Sequence, residues 1–148
     1  MLKNKKYFVA VLALFAMASC KVEKIKPIVE PIKTIDGTWK VTKTLRNDID
    51  ITEYFGMDFS KFRVKFTDGK YTLVDKLPFI VNTGGAYEFD DPQYPFAINF
   101  TPDGGTVLPT PFSFPIVNGA RTMTFKFSTS ANCTTNVYTY TLEKTDEQ

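Results

Sequence analysis

The sequence predicts an all-β protein, an antiparallel up-and-down barrel of about eight strands with one short helix after the first strand. Apolar and polar residues alternate with a period of two over most of the chain; Phe62, Val64 and Phe66, for example, alternate with cations. That period places one strand face in the core and the other in water. Turn-forming residues separate the alternating segments. A sheet of this kind removes its exposed edges by closing on itself, and a two-sheet sandwich is the alternative architecture.

The predicted strands follow one another along the chain. They cover residues 38–45, 60–67, 70–76, 85–90, 95–101, 105–116, 121–128 and 136–144. Asp68-Gly69 joins the second strand to the third, and this dipeptide is among the strongest short hairpin signals. Proline is confined to strand edges and bulges. The sixth strand contains Pro109, Pro111 and Pro115, so we expect it to be broken or to lie at an opening.

The predicted helix falls between the first two strands. The segment from Ile49 to Phe59 lacks the alternation of a strand. Asp50 or Thr52 can accept hydrogen bonds from the free amides at the start of a helix. We therefore predict that the short helix begins at one of these two residues.

The first 19 residues have the order of a secretion signal, and Cys20 follows them directly. Three lysines precede an apolar run from Tyr7 to Met17, and Ala18-Ser19 completes the leader. This order resembles a bacterial lipoprotein signal, in which the cysteine after the small residues receives the lipid. The apolar run has about eleven residues, whereas a transmembrane helix needs about twenty. We predict a signal peptide over residues 1–19 and lipid attachment at Cys20, with an ordinary cleaved signal as the alternative.

Residues 20–35, here called the tether, link the predicted anchor to a barrel domain over residues 36–148. Pro27 and Pro31 interrupt a mixture of apolar and charged residues, which favours an extended chain. Lys21 stands where an aspartate would, by the lipoprotein resemblance, mark retention at the inner membrane. The resemblance therefore implies the outer membrane as the location, with either its periplasmic or its surface face.

Composition removes several classes of function. The chain has no histidine and two cysteines, which excludes histidine-based catalysis and structural zinc of the usual kind. Three of the 18 basic residues lie in the leader, so the remainder carries about as many acidic as basic side chains. A nucleic-acid partner would require a basic surplus, and we predict none. With Cys20 lipidated, Cys133 has no intrachain partner and is expected to be an inert side chain.

The remaining candidate chemistry belongs to carboxylates. Glu88, Asp90 and Asp91 cluster near one turn, and a hydrolase needs two converging carboxyl groups. We interpret them as a solvated strand edge and turn. A second group of oxygen ligands lacks the rest of a calcium loop; it consists of Asn47, Asp48, Asp50 and Glu53. We predict no catalytic residue, no metal site and no cofactor.

Gly37-Thr38-Trp39 opens the first predicted strand and resembles the Gly-x-Trp signature of lipocalins. Together with the leader, Gly69-Lys70-Tyr71-Thr72-Leu73 and Tyr138-x-Tyr-x-Leu, it makes the chain similar to the small lipocalin-like lipoproteins common in Bacteroidota, many of which are domains of unknown function. The resemblance implies a lipocalin-like barrel whose floor Trp39 closes, and it makes Trp39 the candidate ligand-binding residue. In lipocalins a late arginine packs on that tryptophan, and the late arginine here is Arg121.

These observations predict a membrane-anchored cell-envelope lipoprotein, not an enzyme, that serves as a binding or interaction module of unknown ligand. Its partners would be the membrane, through Cys20, and an envelope protein or a small apolar ligand. The abundance of bulky rings (14 Phe, 7 Tyr and 1 Trp) favours an interior filled by side chains. The alternative is a carrier with a small apolar ligand in the barrel cavity.

Overall fold

The computed structural model describes residues 26–54, 56–129 and 135–146. The chain divides into two compact units, Met1–Glu30 and Pro31–Gln148. Residues 26–30 of the first unit have no regular secondary structure. The leader, Cys20 and Cys133 lie outside the described residues, so the predictions made for them stay predictions.

The second unit is a closed antiparallel barrel. Its strands are β1 (Gly37–Arg46), β2 (Ile49–Asp50), β3 (Arg63–Thr67), β4 (Lys70–Val74), β5 (Gly85–Phe89), β6 (Ala97–Pro102), β7 (Leu108–Ser113), β8 (Ile116–Val117), β9 (Ala120–Ser128) and β10 (Val137–Thr145). Eight of them pair in the ring order β1, β3, β4, β5, β6, β7, β9 and β10, and β10 pairs again with β1. The two-residue strands β2 and β8 add to β1 and β9. The predicted all-β barrel of eight strands is therefore confirmed.

The alternation that predicted the strands is visible as burial. In β3, Val64 and Phe66 are buried, while Lys65 between them is exposed. The Asp68-Gly69 hairpin also forms as predicted, and both residues have positive φ, 50° and 74°. Such angles match the twist of the flanking strands and favour glycine at the second position.

The helix predicted between Ile49 and Phe59 is wrong. β2 occupies its start, and a single turn of 3-10 helix at Phe59–Lys61 is the only helical element in the described part of the chain. The Asp50 carboxylate accepts the Thr52 amide at 2.9 Å and the Thr52 hydroxyl at 2.6 Å. Thr52 Oγ1 in turn accepts the backbone N–H of Thr44 at 2.9 Å. The two predicted capping side chains are engaged in holding this connection against β1, so they do not start a helix.

The interruption predicted for the proline-rich strand is present. β7 ends at Ser113, and β8 begins at Ile116, after the two intervening residues Phe114 and Pro115. The Phe112 amide donates to the carbonyl oxygen of Phe96, the residue before β6. The ring nitrogens of the alternate residues Pro109 and Pro111 therefore face the β9 side, where they have no proton to donate. Pairing between β7 and β9 is accordingly limited to Phe112 with Phe125 and Ser113 with Thr124. The barrel therefore has a seam beside the prolines.

The chain enters the barrel at the end that we call proximal. This end holds the start of β1, the β5–β6 turn and the β7–β9 connection, since neighbouring strands are antiparallel. Ile35, just before β1, is buried. The backbone N–H of Lys33 donates to the carbonyl oxygen of Pro92 in the β5–β6 turn at 2.8 Å. The last residues of the tether are thus part of the barrel unit.

Candidate functional site

The barrel interior, which is the expected ligand site of such a fold, is occupied by aromatic rings. Phe79 reaches it from residues 75–84, the connection between β4 and β5, and not from a strand. Its ring centroid lies 5.3–6.2 Å from those of Phe62, Phe100, Phe125, Phe127 and Tyr140. These are the separations of packed aromatic pairs. The β4–β5 connection therefore supplies an aromatic plug that fills the barrel interior.

A partly buried hydrogen bond holds this plug in place. The hydroxyl of Tyr140 on β10 donates to the carbonyl oxygen of Pro78 at 2.6 Å, one residue before Phe79. Burial, followed by the neighbouring Tyr138, raises the pKa of Tyr140 above its ordinary value. The hydroxyl therefore stays protonated and able to donate at any pH near neutrality.

Trp39, the predicted ligand-binding residue, is built into the proximal end. Its side chain is 1% exposed, and its indole Nε1 donates to the carbonyl oxygen of Ile35 at 2.7 Å. The Phe114 ring packs on the indole with a centroid separation of 5.7 Å. The burial of the side chain and the hydrogen bond from its indole nitrogen indicate a structural role for Trp39. Ligand contact at Trp39 stays a prediction.

The Phe114 ring separates Arg121 from Trp39. Its guanidinium carbon lies 5.1 Å from the centre of the Phe114 ring, and Nη1 donates to the Phe114 carbonyl oxygen at 2.9 Å. The lipocalin resemblance implies direct packing of a late arginine on Trp39. Here Phe114 stands between the two side chains, so the order is cation, ring, indole.

A groove of about 210 Å³ opens beside this stack at the proximal end. Tyr94 and Phe96 from the β5–β6 turn form one side of the groove, and Phe114 and Arg121 form the other, with Lys33 from the tether. Larger clefts lie elsewhere on the outside of the barrel, among them one of about 490 Å³ along the β7–β9 seam. The proximal groove brings three aromatic rings, Tyr94, Phe96 and Phe114, together with the cations Lys33 and Arg121.

Asp90 and Asp91, interpreted from the sequence as part of a solvated strand edge and turn, close the β5–β6 turn. Asp90 accepts the backbone N–H groups of Phe96 at 3.0 Å and Ala97 at 2.9 Å, and the bond to Ala97 is the largest cause of its lowered pKa. Asp91 accepts the amides of Gln93 at 2.7 Å and Tyr94 at 3.0 Å.

Glu88 is exposed on β5. Asp50, one of the oxygen ligands that lack the rest of a calcium loop, has a pKa lowered chiefly by its hydrogen bonds from Thr52. Across residues 26–54, 56–129 and 135–146, no three acidic, cysteine or histidine side chains gather as a metal site would require. Asp50, Asp90 and Asp91 therefore accept hydrogen bonds from neighbouring backbone amides, and Asp50 also accepts one from the Thr52 hydroxyl.

Sequence reasoning missed the two residues that close the interior. Phe79 lies in Leu77-Pro78-Phe79-Ile80-Val81, an apolar run without strand alternation, and such a run inside a connection indicates burial. Ile35 belongs to the segment predicted as an extended tether, but it lies two residues before Gly37-Thr38-Trp39, and an apolar residue so close to the first strand is a signal of packing under the tryptophan.

The fold and the site together define a class: a small closed antiparallel barrel, filled by its own rings, that an extended segment enters at one end. The chain belongs to the family described as a domain of unknown function (DUF5004), whose model matches residues 20–143. No curated protein and no solved structure matches the chain. Among the residues that the structure describes, no helix has the length and apolar character to cross a membrane.

Proposed function

We propose that this protein is a cell-envelope lipoprotein, anchored in the outer membrane by acyl chains on Cys20, whose barrel is a non-enzymatic binding or interaction module. The observation that carries the proposal is the leader: three lysines, a short apolar run, and Ala18-Ser19 directly before Cys20. The family match supports the same boundary, because it begins at residue 20 and leaves the leader outside.

The proposed anchor is strong enough to hold the protein permanently. Each buried methylene contributes about 0.8 kcal/mol, and stable attachment requires more than one acyl chain. A diacylglyceryl group with a further acyl chain such as palmitate on Cys20 meets that requirement. The tether then connects the membrane to the barrel without adding a second hydrophobic span.

An interaction module suits the filled interior better than a carrier does. A cavity for a small molecule has a volume of about 300 Å³ or more, and the ring of Phe79 occupies the corresponding space among its five aromatic neighbours. Recognition would therefore use the outer surface of the barrel.

A lipocalin-like carrier is the second candidate, and one observation favours it. Phe79 comes from a connection and not from a strand, so its withdrawal would open the interior without breaking a strand pair. A carrier would bind a polarity-sensitive apolar dye with a stoichiometry of one per chain. An interaction module with a fixed plug would leave the dye in water.

Fractionation of the native host tests the anchor. We expect Cys20→Ala to move the protein from the membrane to the soluble envelope fraction, whereas Cys133→Ala, the matched control, leaves it in the membrane. Circular dichroism of both variants verifies that the barrel is folded. Retention of folded Cys20→Ala in the membrane fraction contradicts the proposal.

A further inference from the structure

We propose that the proximal end of the barrel rests on the lipid surface, through four exposed apolar side chains that we call the proximal rim. The rim consists of Tyr94, Phe96, Ile116 and Val117, which are 55%, 76%, 61% and 46% exposed. The inference depends on the proposed anchor and adds an orientation to it: the barrel is held against the membrane by one defined face.

The rim residues belong to one surface, although they come from two connections. Tyr94 and Phe96 line the proximal groove together with Arg121, and Ile116 is the direct cross-strand partner of Arg121. Backbone hydrogen bonds hold both sides: the carbonyl oxygen of Phe96 accepts the Phe112 amide at 2.9 Å, and the carbonyl oxygen of Pro115, next to Ile116, accepts the Thr122 amide at 3.0 Å. The surface is therefore preformed.

The path of the chain selects the membrane as the occupant of this surface. The barrel unit begins at Pro31, and the backbone of Lys33 is bonded to the same turn that carries the rim aromatics. About eleven residues separate Cys20 from Pro31, a distance of at most about 40 Å when fully extended. The anchor thus attaches at the barrel end that bears the rim.

The chemistry of the rim suits the lipid headgroup region. Tyrosine and phenylalanine place apolar rings at the membrane boundary, and exposed apolar groups add a second attachment to a lipid anchor. Asp90 and Asp91 lie in the same turn, with carboxylates directed to backbone amides, while Arg121 and Lys33 supply cations. Because both positive and negative charges lie at this end, the contact is driven by burial of the apolar side chains and does not require anionic lipid.

A pair of valines with matched exposure allows a direct test. Val117 is in the rim, and Val107, 51% exposed, lies in the β6–β7 connection at the other end of the barrel. The full mature lipidated chain, with Cys133→Ser and either Val117→Cys or Val107→Cys, is labelled with a polarity-sensitive fluorophore. It is placed in vesicles of phosphatidylcholine, with or without a quarter of phosphatidylglycerol, that contain a nitroxide lipid.

We expect quenching at position 117 to exceed that at position 107 at least threefold in both lipid mixtures. The added substitutions Phe96→Ser and Ile116→Ser should abolish the difference while the protein stays bound to vesicles. The corresponding pair at the other end, Ile49→Ser and Tyr54→Ser, should leave the difference intact.

Three outcomes overturn the proposal. Equal quenching at positions 117 and 107 on vesicle-bound protein contradicts the contact between the rim and the lipid, while leaving the anchor intact. A second outcome is that the fluorophore at position 117 reports an apolar environment only at high protein-to-lipid ratios, without quenching by the nitroxide lipid. That result assigns the rim to contact with a second copy of the chain. Failure of the lipidated chain to stay with the vesicles contradicts the anchor and, with it, the rim.

Discussion

The indole nitrogen of Trp39 donates a 2.7 Å hydrogen bond to the carbonyl oxygen of Ile35, and both residues are buried. This bond fastens the end of the tether to the first strand of the barrel. Phe114 covers the indole, and Arg121 covers Phe114. A force on the tether is thereby transmitted to the barrel wall through a buried bond and a packed stack.

Trp39→Phe tests this joint. The substitution removes the donor and leaves the buried Ile35 carbonyl without its partner, which costs about 1–3 kcal/mol, in addition to the smaller ring volume. We expect the free energy of unfolding to fall by about 2–3 kcal/mol in urea titrations. The exposed ring of Phe96 provides the control, since Phe96→Leu should change stability by less than about 0.5 kcal/mol. Equal stabilities for Trp39→Phe and the parent chain would show that the bond is not maintained in solution.

Phe79→Ala tests the aromatic plug. Loss of a ring that contacts five others should leave a cavity and lower the free energy of unfolding by about 3–5 kcal/mol. The exposed Phe96→Ala is the matched control and should stay within about 0.5 kcal/mol of the parent. Chemical denaturation of the chain carrying Cys20→Ser measures both. A loss below about 1 kcal/mol for Phe79→Ala would mean that the ring does not occupy the interior.

The eight strands could be predicted to within a few residues because period two is a direct consequence of having one buried face. β3 illustrates this, since its buried residues are those that alternate with cations. The helix at Asp50 and Thr52 could not be excluded in the same way. Their side chains serve helix caps and local turns equally well, and the choice depends on Thr44, a partner from a different strand.

Thr44→Val is expected to stabilise the protein. Thr44 is 0% exposed, and its Oγ1 has no hydrogen-bond partner among the described residues. Because a buried unpaired hydroxyl costs about 1–3 kcal/mol, the isosteric valine should raise the free energy of unfolding by about 1 kcal/mol. Thr42 is the control: its Oγ1 donates to the Thr141 carbonyl at 3.3 Å, so Thr42→Val should be neutral or destabilising. A lower melting temperature for Thr44→Val than for Thr42→Val would contradict this account of the hydroxyl.

Alkaline pH is expected to destabilise the barrel. Burial raises the pKa of Tyr71 and Tyr87 to about 12 from the ordinary value of 10.0. Because the folded pKa values exceed the unfolded ones, the folded state holds these protons more tightly. Their contribution to stability is therefore fully present below pH 10 and is lost as the pH rises toward 12.

Urea titrations at pH 8 and pH 11 measure this effect. The free energy of unfolding should be lower at pH 11, and the double variant Tyr71→Phe with Tyr87→Phe should lose less on the same change of pH. Tyr140, whose pKa is also raised by burial, is expected to contribute to the loss that remains in the double variant. Equal losses in the parent and the double variant would refute the assignment to these two hydroxyls.

The interior and the proximal end were harder to predict than the strands. Phe79 belongs to no periodic segment, so only its contacts with rings from β6, β9 and β10 show where it packs. The position of Phe114 between Trp39 and Arg121 depends on the break between β7 and β8. Proline indicates that a strand is interrupted, but it does not specify which neighbouring ring turns inward.

The mass of the mature N-terminal peptide, isolated from membranes of the native host, tests the central claim most directly. The account predicts a peptide that begins at Cys20 and carries the added mass of a diacylglyceryl group and its acyl chains. A peptide in which Cys20 carries an unmodified thiol, one that begins after Cys20, or one that retains the leader would contradict it.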